Sequence, residues 1–267
     1  MVDDAAAARP RYDDDLRMAL SIADQVDSFT MTRFGAADLR VETKPDLTPV
    51  TDADSEAERI VRAQLGRTRP RDAVIGEEMA PTGHGRRRWV IDPIDGTKNF
   101  VRGVPVWATL IALIDDDRAV VGIVSAPALG RRWWAAAGVG AFTGRSLSAA
   151  RRLSVSGVSE LPDASMSYSD LREWEDAGRL DAFVDLSRKV WRTRAYGDFW
   201  SYMLLAEGAV DIACEPRLAL HDMAALVPIV TESGGRFTDL AGTDGPWGDG
   251  GIATNGLLHD ALLDALR

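Results

Sequence analysis

In WVIDPIDGTKNF, residues 89–100, two aspartates, Asp92 and Asp95, stand three apart on either side of Pro93. The fixed φ of proline holds the turn so that both carboxylates can meet at one point beyond the end of a strand. Two carboxylates in contact repel unless one carries a proton or a cation lies between them. Gly96 and Thr97 follow directly and offer backbone amides where a helix could begin, and a helix N-terminus favours a phosphate. Metal ligands and an anion cradle are therefore adjacent in sequence. The plain alternative is an ordinary turn, because Asp, Pro and Gly are its usual residues. Further acids shift the balance: Glu77 and Glu78 after the apolar run 73–75, the cluster Thr51-Asp52-Ala53-Asp54, and His221-Asp222 at the head of an apolar helix. These are oxygen ligands of the kind magnesium prefers. Asp54 reads as the N-cap of the helix that follows it.

The 267 residues carry 31 Lys and Arg against 41 Asp and Glu, a net charge of −10, with 46% apolar and 27% charged residues. This is a soluble globular composition, and the acidic excess argues against nucleic acid or an anionic membrane as partner. An acidic protein that handles an anion needs cations from elsewhere. The single cysteine, Cys214, cannot close an intramolecular disulfide, and His84, His221 and His259 are too scattered for a zinc site of His/Cys type. Any bound metal must rest on carboxylates. No stretch approaches the ~18 apolar residues of a membrane span, and the N-terminus lacks the apolar core of a signal peptide, so the cytoplasm is the expected location. The basic runs Arg86-Arg87-Arg88 and Arg131-Arg132 lie at strand edges, where a solvated or interface role is expected.

The elements that must position these acids follow from periodicity. Leu16, Ala19, Leu20, Ala23, Val26 and Phe29 predict a helix ending before Gly35, and Ala57, Ile60, Val61 and Leu65 predict another stopped at Gly66, with KPDLTPVTDAD between them as a loop. Strands are expected over 73–75 and 89–91, each delivering carboxylates at its end, then a hairpin over 108–114 and 119–124 with Asp115, Asp116 and Asp117 as a solvated turn. RRWWAAAGVGAFTG reads as a second hairpin. Beyond about residue 150 helices are expected over 177–190, 199–207 and 222–233, with a strand over 210–214 and a kink at Pro228. The organisation expected is a flexible N-terminus over 1–12, an α+β half over 13–150 carrying most of the acids, and an α/β half over 151–267.

GEE, DPIDGTKNF, Asp222 before an apolar helix ending in TESGG, and PDLTPVTDAD upstream together resemble the inositol monophosphatase family of lithium-sensitive, magnesium-dependent phosphatases. Within it, TKPDLTPVTDAD, DGTKNFVRGVPVWATLIAL and RAYGDFWSYMLLAEGAVDIACEP are most like the actinobacterial histidinol-phosphate phosphatases. The resemblance covers nearly the whole chain. It implies a layered αβαβα sandwich, commonly a homodimer, with Trp133 and Trp134 as candidates for its interface or for a pocket wall. It implies that Glu77, Asp92, the carbonyl of Ile94, Asp95 and Asp222 hold two or three Mg²⁺ ions. Asp52 and Thr97 would orient and deprotonate the attacking water, with Glu77 helping to hold it, while the amides of Gly96 and Thr97 bind phosphate. A residual possibility of another class, a non-catalytic regulator with a vestigial site, is disfavoured by the complete ligand set.

One departure is His221, where the family usually has tryptophan; it reads as a packing or capping residue, or as a group reaching substrate or a further metal. Specificity is expected from the segment 194–200 and from Glu215. The ammonium and imidazole of histidinol phosphate would find counter-ions in Asp198 and Glu215. The alternatives are that Asp198 caps the helix over 199–207 and that Glu215 is a surface charge before Pro216. Arg194 could pair with either acid or line the rim. The activity implied is hydrolysis of histidinol phosphate in histidine biosynthesis, with inositol or sugar phosphates as the alternative substrates.

Overall fold

A computed structural model describes residues 12–45 and 48–267. Residues 1–11, most of the expected flexible N-terminus, and residues 46 and 47 of the expected loop lie outside the described residues.

The chain opens with α1 (Asp13–Arg33), a short hairpin of β1 (Val41–Thr43) and β2 (Pro49–Thr51), and α2 (Asp52–Thr68). α2 runs through Gly66 to Thr68, with Arg69 as its C-cap, because Leu65 behind that glycine is buried and holds the last turn on the core. β3 (Ala73–Gly76), β4 (Arg87–Asp95), α3 (Thr97–Arg102), β5 (Ala108–Asp115), β6 (Arg118–Ala126), β7 (Arg131–Ala136), β8 (Gly140–Thr143) and β9 (Arg151–Arg152) follow, and their strands form one seven-stranded sheet in sequence order. β9 carries this sheet just past residue 150. After it come β10 (Ser165–Ser167), α4 (Leu171–Asp176), α5 (Leu180–Ser187), β11 (Arg192–Arg194), α6 (Asp198–Ala206), β12 (Ile212–Glu215), α7 (Leu220–Met223), α8 (Leu226–Glu232), β13 (Arg236–Thr238), β14 (Gly251–Thr254) and α9 (His259–Ala265). The second sheet has the order β11-β10-β12-β14-β13.

Strand alternation builds the layers. Trp89, Ile91, Ile111, Leu113 and Trp134 face α1 and α2, while Val90, Leu110, Ala112 and Trp133 face α6 and α8. Ala213, Phe237 and Ala253 of the second sheet close that same middle layer, and Met166, Ile212, Cys214 and Ile252 turn the other way onto α4, α5 and α9. The result is the αβαβα sandwich. Because the first sheet is covered on both faces, Trp133 and Trp134 are both buried, which leaves neither exposed for a subunit interface, while Trp134 forms part of the wall of a hollow between α1 and the 145–148 loop. The Trp133 indole donates to Glu207, which also pairs with Arg131.

The arginine runs are paired too. Arg86 meets Asp115 and Asp116, Arg87 meets Asp15 and Asp72, Arg88 meets Asp117, and Arg132 meets Asp24 and Asp27. The β5–β6 turn consists of Asp116 and Asp117 alone, both at positive φ, as a two-residue hairpin turn requires. Asp115 is buried and accepts from the Tyr12 hydroxyl, so it is not part of a solvated turn.

Two helical expectations change. The helix over 177–190 is replaced by α4 and α5, split at Gly178, whose φ of 68° ends the first. The helix over 222–233 is broken into α7 and α8 rather than kinked at Pro228, which falls in the first turn of α8 where its missing amide is harmless. α8 sits hard on the first sheet: a Cβ on Gly122 of β6 would stand 2.2 Å from the Ala225 carbonyl oxygen and 2.6 Å from Pro228 Cγ. That close approach fixes α7 and the acid it carries.

Candidate active site

β4 does not stop before the acids; it continues to Asp95, with a bulge that sets Asp92 opposite Leu110 and Asp95 opposite Ala108. Pro93 has no amide to give the ladder, which suits a bulge, and its carbonyl is held by the Thr109 hydroxyl at 2.9 Å. The extra residue re-aims both carboxylates to one side. Asp92 Oδ1 accepts the Ile94 amide at 3.0 Å, and Asp95 Oδ2 accepts the Phe199 amide at 2.8 Å, which ties β4 to the start of α6. Gly96 has φ of 83°, and a Cβ there would stand 3.0 Å from the Val106 carbonyl, so glycine is required for the chain to enter α3.

Glu77 follows the end of β3. A Cβ on Gly76 would overlap the Glu58 carboxylate at 2.0 Å, and Glu58, wholly buried and paired with Arg62, accepts the Glu78 amide at 2.7 Å. A buried ion pair beneath a glycine thus holds the strand end that presents Glu77. Asp222 reaches back to the Ala219 amide at 2.7 Å from within α7.

These parts converge. Oxygen atoms of Asp92, Asp95 and Asp222 lie within 4.8 Å of one another, and so do ligand atoms of Glu77, Asp92 and His221, with Asp92 common to both sets. The acids line a cleft of about 510 Å³ together with Ile94, Gly96, Thr97, Asp198 and Glu215. Burial, reinforced by Glu77, Asp95 and Asp222, holds the Asp92 carboxyl well above the usual carboxylate range; burial with Asp198 and Asp222 does the same to Asp95. Burial also raises Asp222. Four acids, repelling one another in a partly desolvated cleft, with a backbone carbonyl beside them, make an all-oxygen donor set suited to a hard divalent cation. Beside these acids Lys44 pairs with Glu77 and Glu78, its Nζ at 2.6 and 2.7 Å.

Two expected site residues are not there. Asp52 lies outside the cleft, exposed on one side and paired with Arg33 at 3.0 Å. Its place beside Thr97 is taken by Asp54, which is fully buried: Oδ1 is 3.3 Å from the Thr97 hydroxyl, and Oδ2 accepts from the Thr51 amide and hydroxyl. The N-cap of α2 is Thr51, with Asp54 as the N3 acid of a capping box. Arg194 is exposed at the end of an edge strand, bonded to the carbonyl of its neighbour Thr193, and it meets neither the cleft nor the two acids.

Asp198 and Glu215, the other residues expected to bear on specificity, both line the cleft. Asp198 is the first residue of α6, at a φ of 49°, and accepts from Asn99. Its carboxyl is pushed up to about 6 by burial and by Asp222. Glu215 is buried at 3% exposure, not a surface charge, and burial holds it well above the usual range. His221 lies at the cleft with Nε2 3.5 Å from Asp222. Sequence reasoning missed Glu173 of α4, which lines the same cleft.

The profile of the inositol monophosphatase family matches residues 12–267. The chain belongs to the inositol monophosphatase family. Members of this family are metal-dependent, in keeping with the acids of the cleft. Among relatives, the chain is 62% identical over 262 residues to the histidinol-phosphatase of Streptomyces coelicolor, covering 97% of this chain and 98% of that one. It is 58% identical over 255 residues to the histidinol-phosphatase of Mycobacterium tuberculosis, covering 95% and 98%. Among solved structures, an inositol monophosphatase from Zymomonas mobilis superposes with a TM-score of 0.85 at 32% identity, covering 97% of this chain and 99% of that one. The extragenic suppressor protein SuhB of Bartonella henselae gives 0.87 at 27% identity, covering 95% and 98%. The layers described above are thus the fold of this family.

Proposed function

We propose that this chain is a magnesium-dependent phosphomonoesterase that hydrolyses L-histidinol phosphate to L-histidinol and phosphate, a step of histidine biosynthesis. The observation that carries the reading is the cleft itself, which Glu77, Asp92, Asp95 and Asp222 line together with Asp198 and Glu215. Near-full-length likeness to two histidinol-phosphatases supports the choice of ester. Two or three Mg²⁺ ions, held by the four acids and the Ile94 carbonyl, would supply the positive charge that acidifies water and neutralises the phosphoryl and leaving oxygens.

The chain's own residues do the rest. The Thr97 hydroxyl lies between the Ile94 carbonyl, at 2.9 Å, and Asp54 Oδ1, at 3.3 Å. Turned towards Asp54, it accepts a proton from the attacking water while passing its own to a carboxylate whose proton affinity burial has raised. The amides of Gly96 and Thr97, at the start of α3, bind phosphoryl oxygens. Asp198 and Glu215 receive the cationic alcohol. The same reading takes the enzyme as a cytoplasmic homodimer acting on a small-molecule ester, by likeness to its family. No helix among the described residues is long and apolar enough to cross a membrane.

Phosphate release with Mg²⁺ from histidinol phosphate, inositol 1-phosphate and fructose 1,6-bisphosphate tests the substrate. The expected kcat/KM for histidinol phosphate exceeds the others by about 100-fold, the size of effect that charged partners in a built site provide. A value for inositol 1-phosphate equal to or above it would sink the reading.

A further inference from the structure

The cleft contains two carboxylate oxygens that are buried and without a hydrogen-bond partner among the described residues: Glu173 Oε2 and Glu215 Oε1. They come from separate elements, α4 and the end of β12, and line the same space. A buried carboxylate oxygen left unpaired is costly, and two in one cavity call for a donor from outside the chain. Cationic side chains do not fill the need. Lys98 and Arg217 also line the cleft and their charges act on Glu173, but both are exposed and neither hydrogen-bonds to the two oxygens, Arg217 donating instead to the Asp176 carbonyl. α4 itself is firmly seated, because Trp174, next to Glu173, is fully buried and stacked on Phe183 at 4.6 Å.

We propose that Glu173 is a specificity-determining residue, forming with Glu215 a two-carboxylate subsite that grips the ammonium and imidazole of the leaving alcohol and disfavours uncharged polyols. This rests on the histidinol phosphate reading and adds a residue to it. Two acids on different elements match an alcohol with an ammonium and an imidazole that can each donate to a carboxylate, whereas a polyol brings hydroxyl donors but no charge.

The test is the ratio of kcat/KM for histidinol phosphate to that for glycerol 2-phosphate, measured with Mg²⁺ in wild type, Glu173→Gln and Glu173→Asp. In the glutamine variant the ratio should fall by about tenfold through a raised KM for the cationic ester, the size of one charge-assisted hydrogen bond. Aspartate should recover part of it. Calorimetric titration with histidinol should show the matching loss of affinity. An unchanged ratio, or equal slowing of both esters, would overturn the assignment of Glu173 while a wild-type preference for histidinol phosphate kept the substrate reading intact. A wild type with no preference for the cationic ester would overturn both.

Discussion

Replacing Asp92 by Asn is expected to lower kcat/KM by at least about 1,000-fold while the protein keeps its fold, because a carboxylate common to both ligand sets is lost. The neutral amide has nearly the same shape and can still accept the Ile94 amide, so the β4 bulge has no reason to move. Stability should change in the opposite direction to activity. Without metal, Asp92 is buried against Glu77, Asp95 and Asp222, and its charge works against the fold. The variant should therefore melt higher than wild type in chelator, and Mg²⁺ should raise its melting temperature less. Near-normal turnover, or an undiminished Mg²⁺ shift, would refute the metal assignment.

The second large effect separates two aspartates that lie two residues apart. Asp54→Asn should reduce kcat by about 100-fold, the usual worth of a general base. An asparagine there can keep one bond from Thr51, but it has no carboxylate to take the Thr97 proton. The cost to α2 should be about 1 kcal/mol, that of a weakened cap. Asp52→Asn, by contrast, only loosens a half-exposed pair with Arg33, so kcat should stay close to wild type. Steady-state kinetics on both variants decides the matter, and a larger loss in Asp52→Asn would restore the assignment made from sequence.

That assignment shows where legibility ended. Both acids stand at the start of one helix, and residues two apart on a helix face different sides, so only one could meet Thr97. The spacing Thr51-x-x-Asp54 held the answer, since an N3 acid that caps its helix with one oxygen has a second oxygen to aim elsewhere. The convergence of the acids was readable because short apolar runs deliver Glu77, Asp92 and Asp95 directly from strands, and Asp222 heads an apolar helix. Other features depended on distant partners. Trp133 and Trp134 are buried only because a sheet has helices on both faces, which a hairpin pattern does not reveal. The arginine runs are answered by acids as remote as Asp15 and Asp117. Arg194 was expected to pair with Asp198 or Glu215 or to line the rim, yet the edge strand that carries it ends facing solvent. Glu173 sits in a six-residue helix with no local pattern to distinguish it from the neighbouring acids.

The net charge of −10 makes the central claim directly testable. A cleft lined by these acids repels a phosphate ester until cations are bound. Enzyme stripped with chelator and then titrated with Mg²⁺ against histidinol phosphate should release no phosphate above background at first, and should regain full turnover as Mg²⁺ is restored. Turnover by the stripped enzyme at the rate of the Mg²⁺-loaded one would contradict the account.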